Sequence, residues 1–346
     1  MYKEHSIAVV IPAFNEAKHI NKVIESMPDF IDQVIVVDDG SIDSTEQIAR
    51  ECGACVIRHQ VNRGVGAALH TGIDYVLDRD FDIMVNIDGD GQFSTADIVK
   101  LIDLIVEDRT DFVTASRFAD SYSVTNMPRV KRWGNWLIAR LISLLTGSSF
   151  RDVSCGMRAY SKKALLKLNL SSSFTYTHET FLDLAFKHVR IMEIPVEVSY
   201  YRNRKSRVSD SVFWYAIRAL TIILRSYRDY QPLKFFWMTA AFFLGISIFF
   251  FTIIFIHYLK SGFFSGQIWA GFVGGFFFLI GMCCFFMGIL GDMFFMVSEN
   301  QEKMLFRLKR VESLLVNQSS FKEKNSNINW DNGECSRKEG YTKQIL

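Results

Sequence analysis

The sequence predicts an α/β fold: a doubly wound, mostly parallel sheet, then an interfacial amphipathic helix and a hairpin of two transmembrane helices. Three observations lead there. Short Val- and Ile-rich runs alternate with helical patterns through the first part of the chain. Asp, Glu, Lys and Arg vanish from two long stretches, 235–259 and 261–291. Many of the 31 Phe crowd into that same region. Strand and helix in regular alternation imply parallel pairing with helices on both faces. The 346 residues suffice for one large domain or two ordinary ones. At 49% hydrophobic, most of the chain has the apolar surface to offset its conformational entropy. With 39 basic against 37 acidic residues, it lacks the basic excess of a nucleic-acid-binding protein, and no nucleic-acid partner is expected.

Buried strands are expected at 6–11 (SIAVVI), 33–37 (QVIVV), 54–58 (ACVIR), 83–87 (IMVNI) and 111–115 (DFVTA). Helices are expected between them at 17–27, 44–52, 66–77 and 95–107. Ligands of such sheets gather at the carboxyl ends of the strands. The segments there are PAFNE, DDGS, NRGVG, DGDGQ and SRF, polar almost throughout. Ordinary turns explain one or two of them but not all five.

After this domain, placed at 1–210, residues 211–232 are amphipathic. Arg218, Arg225 and Arg228 accompany Phe213, Trp214, Ile217, Leu220, Ile223 and Leu224, the mixture of a membrane-interface helix; the alternative is a plain surface helix. A bilayer core takes about 20 apolar residues per helix, so spans are placed at about 235–259 and 267–294, within 233–298. Trp237, Tyr258 and Trp269 lie near their ends, as interface aromatics do. Arg225, Arg228 and Lys234 precede the first span, and Lys303, Arg307, Lys309 and Arg310 follow the second. The loop between offers only Lys260, so both termini are expected on the cytoplasmic side. A short amphipathic helix at 299–316 carries a seam of Met304, Leu308, Val311 and Leu315, which leaves a homo-oligomer open. The polar tail, 317–346, is expected to be disordered.

The six cysteines do not describe a secreted disulfide scaffold. Cys283 and Cys284 lie in the apolar segment. Cys52 and Cys55 form a lone CxxC with no second ligand pair for zinc, so thiols in a reducing cytoplasm are expected. The N-terminal apolar run is too short for the core of a secretion signal, and none is expected.

Chemistry concentrates after the strands. In NIDGDGQ, Asp88 and Asp90 alternate at a strand end and can face one cation, with Gly89 and Gly91 allowing a tight turn. Such hard oxygen ligands suit Mg²⁺ or Mn²⁺ held together with substrate phosphates. Asp38 and Asp39 end the second strand, where a carboxylate can accept from ribose hydroxyls or a base N–H. Pro12, Phe14, Asn15 and Glu16 close the first strand and could hold a base; Asn15 and Glu16 also suit helix capping. Gly64 and Gly66 fail as a dinucleotide fingerprint, because Leu69 stands where the third glycine belongs and the motif follows the third strand. They read as a helix start, with Asn62 and Arg63 near the ligand.

IPAFNE, VVDDGS, NRGVGAAL, DGDGQ, SRF and SCGMRAY, in this order, resemble the family 2 glycosyltransferases of GT-A fold. Within that family the chain is most similar to the polyprenyl-phosphate glycosyltransferases, the dolichol-phosphate mannose synthase group. The likeness covers roughly 6–230, and a membrane hairpin after the catalytic domain fits bacterial members acting on undecaprenyl phosphate at the inner membrane. It implies a nucleotide-sugar donor, UDP- or GDP-linked, surrounded by Pro12, Phe14, Glu16, Asp38 and Asp39. Asp88, Asp90 and Gln92 would hold the metal and the donor diphosphate. Arg117, Arg202 and Arg204 would lie near donor or acceptor phosphates, with Asp152 and Glu179 on the sugar and acceptor side. Arg202, Arg204, Lys205 and Arg207 also suit attraction to anionic headgroups. An acceptor phosphate is already anionic and has little need of a general base. A hydroxyl acceptor would require one, with Asp152 or Glu179 as candidates. A non-catalytic, nucleotide-sugar-binding scaffold is the reading from another class; the intact Asp88–Asp90 pair speaks against it. RVKRW at 129–133 is similar to the QxxRW of processive synthases, but it begins with Arg and precedes the HET segment instead of following it. Two spans are also few for a polymer channel.

Overall fold

The structure, a computed structural model, describes residues 1–118, 129–170, 176–196, 198 and 212–325. Seven strands form one sheet: β1 (Ile7–Ala13), β2 (Gln33–Asp38), β3 (Cys55–Arg58), β4 (Ile83–Asn86), β5 (Phe112–Ser116), β6 (Arg158–Ser161) and β7 (Ile191–Pro195). Their order is β3-β2-β1-β4-β6-β5-β7. The five strands expected from the sequence are present, each within two residues of its expected bounds.

All seven residues of β1, IAVVIPA, are buried, because helices cover both faces of the sheet. Ile7, Val9 and Ile11 pack with Ile20 and Val23 of α1 (Ile20–Glu25) and with Ile98, Leu101 and Ile102 of α4 (Ile98–Val106). Val10 turns to the other face and meets α3 (Val65–Asp78), where a Cβ on Gly72 would stand 2.3 Å from its Cγ1. The absent side chain lets α3 lie close on the strand. α2 (Thr45–Glu51) joins β2 to β3.

The sheet is mixed. β6 runs antiparallel to both β4 and β5, whereas the alternation alone implied parallel pairing; β7 returns parallel to β5. β6 escaped the hydrophobic pattern because its first residue is Arg158, and β7 because it carries Glu193 and Pro195. The reversal has a consequence for function. An antiparallel β6 begins where β4 ends, so residues 152–157 cross the carboxyl edge beside the DGDGQ turn. α6 (Lys162–Lys167) and α7 (Thr177–Phe186) follow β6.

α5 (Arg129–Thr146) has no acidic residue and buries a narrow stripe of Asn135, Ala139 and Ile142. Opposite that stripe, Trp133 is 63% exposed, Trp136 53% and Leu144 78%, beside exposed Arg132 and Arg140. Side chains of Arg129 and Lys131 lie outside the described residues, as do those of Phe213, Trp214 and Arg218 in α8 (Val212–Tyr230) and that of Leu315.

The chain divides into two compact units, Met1–Ile217 with Phe306–Leu346, and Arg218–Leu305. The second holds α9 (Pro232–Ser261) and α10 (Ile268–Asn325) as far as Leu305; each helix is long and apolar enough to cross a membrane. Pro232 starts α9 at a position where no N–H is needed, and Gly262 stops it with φ +73°. The helix expected at 299–316 is no separate element. It continues α10, which runs into the expected tail as far as Asn325; 326–346 lie outside the described residues.

Glycines at seven-residue spacing line the contact between α9 and α10. A Cβ on Gly274, Gly281 or Gly288 would stand 3.3, 2.8 or 2.9 Å from Phe251, Leu244 or Trp237. Ser247 Oγ donates to the Gly274 carbonyl at 2.8 Å, and Trp237 stacks on Phe285. Small residues of this kind let membrane helices approach closely. Gly281→Leu is therefore expected to cost the hairpin about 1–3 kcal/mol through overpacking. SDS titration of the full chain checks it: an earlier loss of helix–helix contact, with nucleotide binding unchanged.

Candidate active site

The turns after β1 and β2 are stitched to each other. Asn15, at φ +55°, donates its backbone N–H to Ser41 Oγ at 2.8 Å, and its Oδ1 accepts from the Ile42 N–H at 2.9 Å. Glu16 N–H donates to Thr45 Oγ1 at 2.8 Å. α1 starts at Ile20, and its N-cap residue is His19. Asn15 braces the two turns instead. Pro12 and Glu16 are buried and Phe14 is half-buried at this edge.

The two acidic residues after β2 differ sharply. Asp39 is used within the protein. Its Oδ1 accepts from Arg63 N–H at 2.9 Å and lies 2.8 Å from His59 Nδ1, and its Oδ2 accepts from Gly64 N–H at 2.8 Å. His59 Nε2 in turn meets Thr71 Oγ1 at 2.9 Å. Asp39 thus pins the NRG turn to the sheet. Asp38 Oδ1 accepts from Ser41 N–H at 3.0 Å, whereas its buried Oδ2 has no hydrogen-bond partner among the described residues; Arg58 Nε stands 3.7 Å away. A buried carboxylate oxygen with capacity to spare suits a base N–H. Arg63 enters through its backbone, and its side chain is exposed.

Asp88, Asp90 and Gln92 follow β4 and are all half-buried. Gln92 N–H donates to Asp90 Oδ1 at 3.0 Å across a turn in which Gly91 takes φ +70°. Among the described residues no three His, Cys, Asp or Glu side chains converge on one point. The carboxylates of Asp88 and Asp90 are hard oxygen donors, of the type that holds a divalent cation together with substrate phosphates. Gly156 presses on Asp88: a Cβ there would stand 2.0 Å from its Oδ2.

At the end of β5, Arg117 grips Asp152. Nε donates to Oδ2 at 2.7 Å, Nη2 to Oδ1 at 2.8 Å, and the backbone N–H to Oδ2 at 3.0 Å. Ser154 Oγ accepts from Nη2 at 2.6 Å and donates to Asn135 Oδ1 at 2.7 Å. Burial pushes the Asp152 carboxyl up, but the Arg117 charge and its hydrogen bonds outweigh burial and hold it below the usual 3.8. A wholly buried carboxylate, forked onto arginine and kept ionised, orients Arg117 and is a poor proton acceptor. That corrects its candidacy as a general base. Glu193 Oε1 holds the same segment by accepting from Asp152 N–H at 2.9 Å.

Glu179 is buried in the first turn of α7. Its neighbour His178 is wholly buried. Burial, then the Arg158 charge, lowers it to about 4, so it is neutral at physiological pH. Arg158 is itself enclosed by the rings of Phe112, Tyr176 and Phe181, at 5.9, 5.2 and 5.1 Å from their centroids. It donates to the carbonyls of Val153, Cys155 and Thr177 and so joins the segment before β6 to the start of α7. Arg202 and Arg204, with Lys205 and Arg207, lie outside the described residues. Sequence reasoning missed Gly156, Asn86, Tyr176, Arg158 and His59. Asn86 stood within the quoted NIDGDGQ, and Gly156 and Arg158 within SCGMRAY, but a motif does not say which of its residues touch one another in the fold.

The glycosyl transferase family 2 domain matches residues 8–168. The UDP-N-acetylglucosamine–dolichyl-phosphate N-acetylglucosaminyltransferase of Methanococcus voltae is 31% identical over 63% of this chain and 96% of its own length. The dolichyl-phosphate hexose transferase of Haloferax volcanii is 33% identical over 59% of this chain and 86% of its own. Glucosyl-3-phosphoglycerate synthase from Mycobacterium tuberculosis, solved with Mn²⁺, UDP-glucose and phosphoglyceric acid, shares the fold. It has a TM-score of 0.52 at 23% identity, over 65% of this chain and 80% of that one. With the strand-end motifs in place on a mixed seven-stranded sheet, this chain belongs to glycosyl transferase family 2 and has the GT-A fold.

Proposed function

We propose that the protein is a membrane-anchored, inverting glycosyltransferase that moves a sugar from a nucleoside-diphosphate sugar to the phosphate of a polyprenyl lipid at the cytoplasmic face. The observation that carries this reading is the pairing of a half-buried Asp88–Asp90 couple after β4 with a rigidly held Arg117 after β5. Carboxylates for a cation and a fixed arginine at one sheet edge suit a diphosphate leaving group and an anionic acceptor.

In this scheme Asp38, with its spare buried oxygen, accepts from the nucleotide base, and the braced turns carrying Phe14 and Glu16 flank it. Asp88 and Asp90, with Gln92, hold Mg²⁺ or Mn²⁺ against the donor diphosphate. The cation, when bound, offsets the charge on the departing nucleoside diphosphate. Arg117 cannot swing, because Asp152 fixes its fork, so it presents a preorganised positive edge to phosphate. The acceptor phosphate is anionic at neutral pH, and the task left to the protein is alignment for in-line attack at the anomeric carbon. Displacement in one step inverts that centre. Arg202, Arg204 and Glu179 are assigned to the acceptor side from the sequence.

A lipid acceptor is supported by three features. Two helices are long and apolar enough to span; α5 presents exposed tryptophans and arginines without an acidic residue, as interfacial helices do; and relatives are named for dolichyl-phosphate transfer. Asp152, one of the two candidate bases for a hydroxyl acceptor, is committed to Arg117. The test uses purified protein in detergent with undecaprenyl phosphate, Mn²⁺ or Mg²⁺, and a panel of labelled UDP- and GDP-sugars. Labelled lipid from one donor, at least about 100-fold lower with Asp90→Ala, is the expected result. Nucleotide-sugar binding without labelled lipid across the panel overturns the reading in favour of a scaffold.

A further inference from the structure

The buried stripe of α5 contains one residue that packing does not call for. Asn135, Ala139 and Ile142 recur at spacings of four and three on the face turned to the core. An apolar side chain at the first of these positions would avoid the cost of burying an amide. Asn135 is 6% exposed, and both ends of its amide are used. Its Oδ1 accepts from Ser154 Oγ at 2.7 Å, and its Nδ2 donates to the Arg151 carbonyl at 3.2 Å. It therefore clamps the segment 151–154 on both sides of Asp152. Ser154 continues the chain of contacts. Its hydroxyl proton goes to Asn135, since Asp152 Oδ1 lies farther off at 3.3 Å. That leaves a lone pair for Arg117 Nη2 at 2.6 Å. With Asp152 Oδ1 at 2.8 Å, Nη2 has a partner for each of its two N–H groups.

We propose that Asn135 and Ser154 are positioning residues that tie Arg117 to α5, so that a helix lying on the lipid surface holds the arginine at the level of the acceptor phosphate. This deepens the lipid-phosphate reading and rests on it. One side of α5 supports the arginine, and the other side is open. Trp133, Trp136, Leu137 and Leu144 are exposed there with Arg132 and Arg140, and the Arg140 guanidinium stands 5.8 Å from the centroid of the Trp136 ring. No Asp or Glu occurs anywhere in Arg129–Thr146. Such a face is complementary to a layer of anionic headgroups, with its tryptophans at the apolar boundary. The hydrogen bonds Arg117–Ser154 and Ser154–Asn135 carry the position of that helix to the guanidinium. Asp152 sets the direction of the fork, while Asn135 and Ser154 set its place relative to the helix.

The test places the full-length protein in nanodiscs of phosphatidylcholine, with or without phosphatidylglycerol, together with undecaprenyl phosphate, Mn²⁺ and a panel of labelled nucleotide-sugars. Asn135→Leu, Ser154→Ala and the conservative Ser154→Thr are compared with wild type, and the melting temperature is read beside kcat and KM. The expected result for Asn135→Leu and Ser154→Ala is a fall of about tenfold or more in kcat/KM for undecaprenyl phosphate, with donor KM within about twofold of wild type. Ser154→Thr, which keeps the hydroxyl, is expected to recover most of that loss. Acceptor kcat/KM within about threefold of wild type in both variants, or acceptor and donor parameters that worsen together with the melting temperature, would overturn the positioning role. Wild type is expected to use the acceptor better when phosphatidylglycerol is present. Arg132→Gln with Arg140→Gln removes that gain, and adds no further loss to Asn135→Leu, because there the helix no longer reaches Arg117. An undiminished gain, or losses that simply add, would overturn the link to the lipid surface. If wild type binds a nucleotide-sugar yet labels undecaprenyl phosphate in neither disc, the lipid-phosphate reading falls and this inference with it.

Discussion

Gly156→Ala is expected to abolish sugar transfer in a protein that still folds. The single added carbon would stand 2.0 Å from Asp88 Oδ2 and 2.5 Å from its Cγ, far inside van der Waals contact. Gly156 takes no left-handed φ, so alanine meets no backbone penalty of its own. The strain falls on the carboxylate, which must rotate out of the place where it faces the cation. A misplacement of about 1 Å in a catalytic constellation costs on the order of 100-fold in rate, and that is the expected minimum loss in kcat/KM. Mn²⁺ affinity in the presence of nucleotide is expected to fall with it, while circular dichroism stays as in wild type. Transfer within threefold of wild type would mean that the Asp88 orientation is unimportant to the reaction.

The second large effect is expected at Asp152. Asp152→Asn removes the charge that Arg117 faces, so the guanidinium, only 13% exposed, loses that counter-charge. Removing one member of a buried ion pair costs about 3–5 kcal/mol. Unfolding in urea, followed by tryptophan fluorescence of the detergent-solubilised chain, measures it. Transfer is expected to fall as well, since Arg117 loses its fixed edge. The double variant Arg117→Met, Asp152→Leu separates the two effects: replacing the pair by packed apolar groups is expected to restore much of the stability and none of the activity. The sign of the pH dependence follows from the lowered carboxyl. The pair's contribution is fully present above the unfolded value near 3.8 and is lost only as pH falls through the lower folded value. Stability from this source is therefore flat between pH 6 and 8.

Much of this was legible in the sequence where the physics is local. The strands β1, β2 and β4 are buried on both faces, so their apolar runs are continuous and visible without knowledge of the partners. The uncharged stretches are visible for the same reason. β6 was hidden because its charged first residue, Arg158, is enclosed by the rings of Phe112, Tyr176 and Phe181 and the Thr177 carbonyl, 18 to 46 residues away in sequence, and such an enclosure leaves no local pattern. The site divides in the same way. Asp88 and Asp90 announce themselves by alternation at a strand end. Asp38 and Asp39 are indistinguishable in the string DDGS, and only the fold shows that Asp39 serves the NRG turn 24 residues on. Asp152 looked like a base until its partner, 35 positions earlier, was seen to hold it.

The claim at the centre is that the acceptor is a lipid phosphate. The most direct measurement gives the full-length protein its preferred labelled nucleotide-sugar and Mn²⁺ with either undecaprenyl phosphate or undecaprenol, and follows label in the organic phase. The expected result is label with the phosphate alone, in a product whose sugar is released by mild acid and has the anomeric configuration opposite to the donor's. Equal transfer to undecaprenol, or transfer only to an added saccharide, would contradict it: the acceptor would then be a hydroxyl, and a base such as Glu179 would be needed to take its proton.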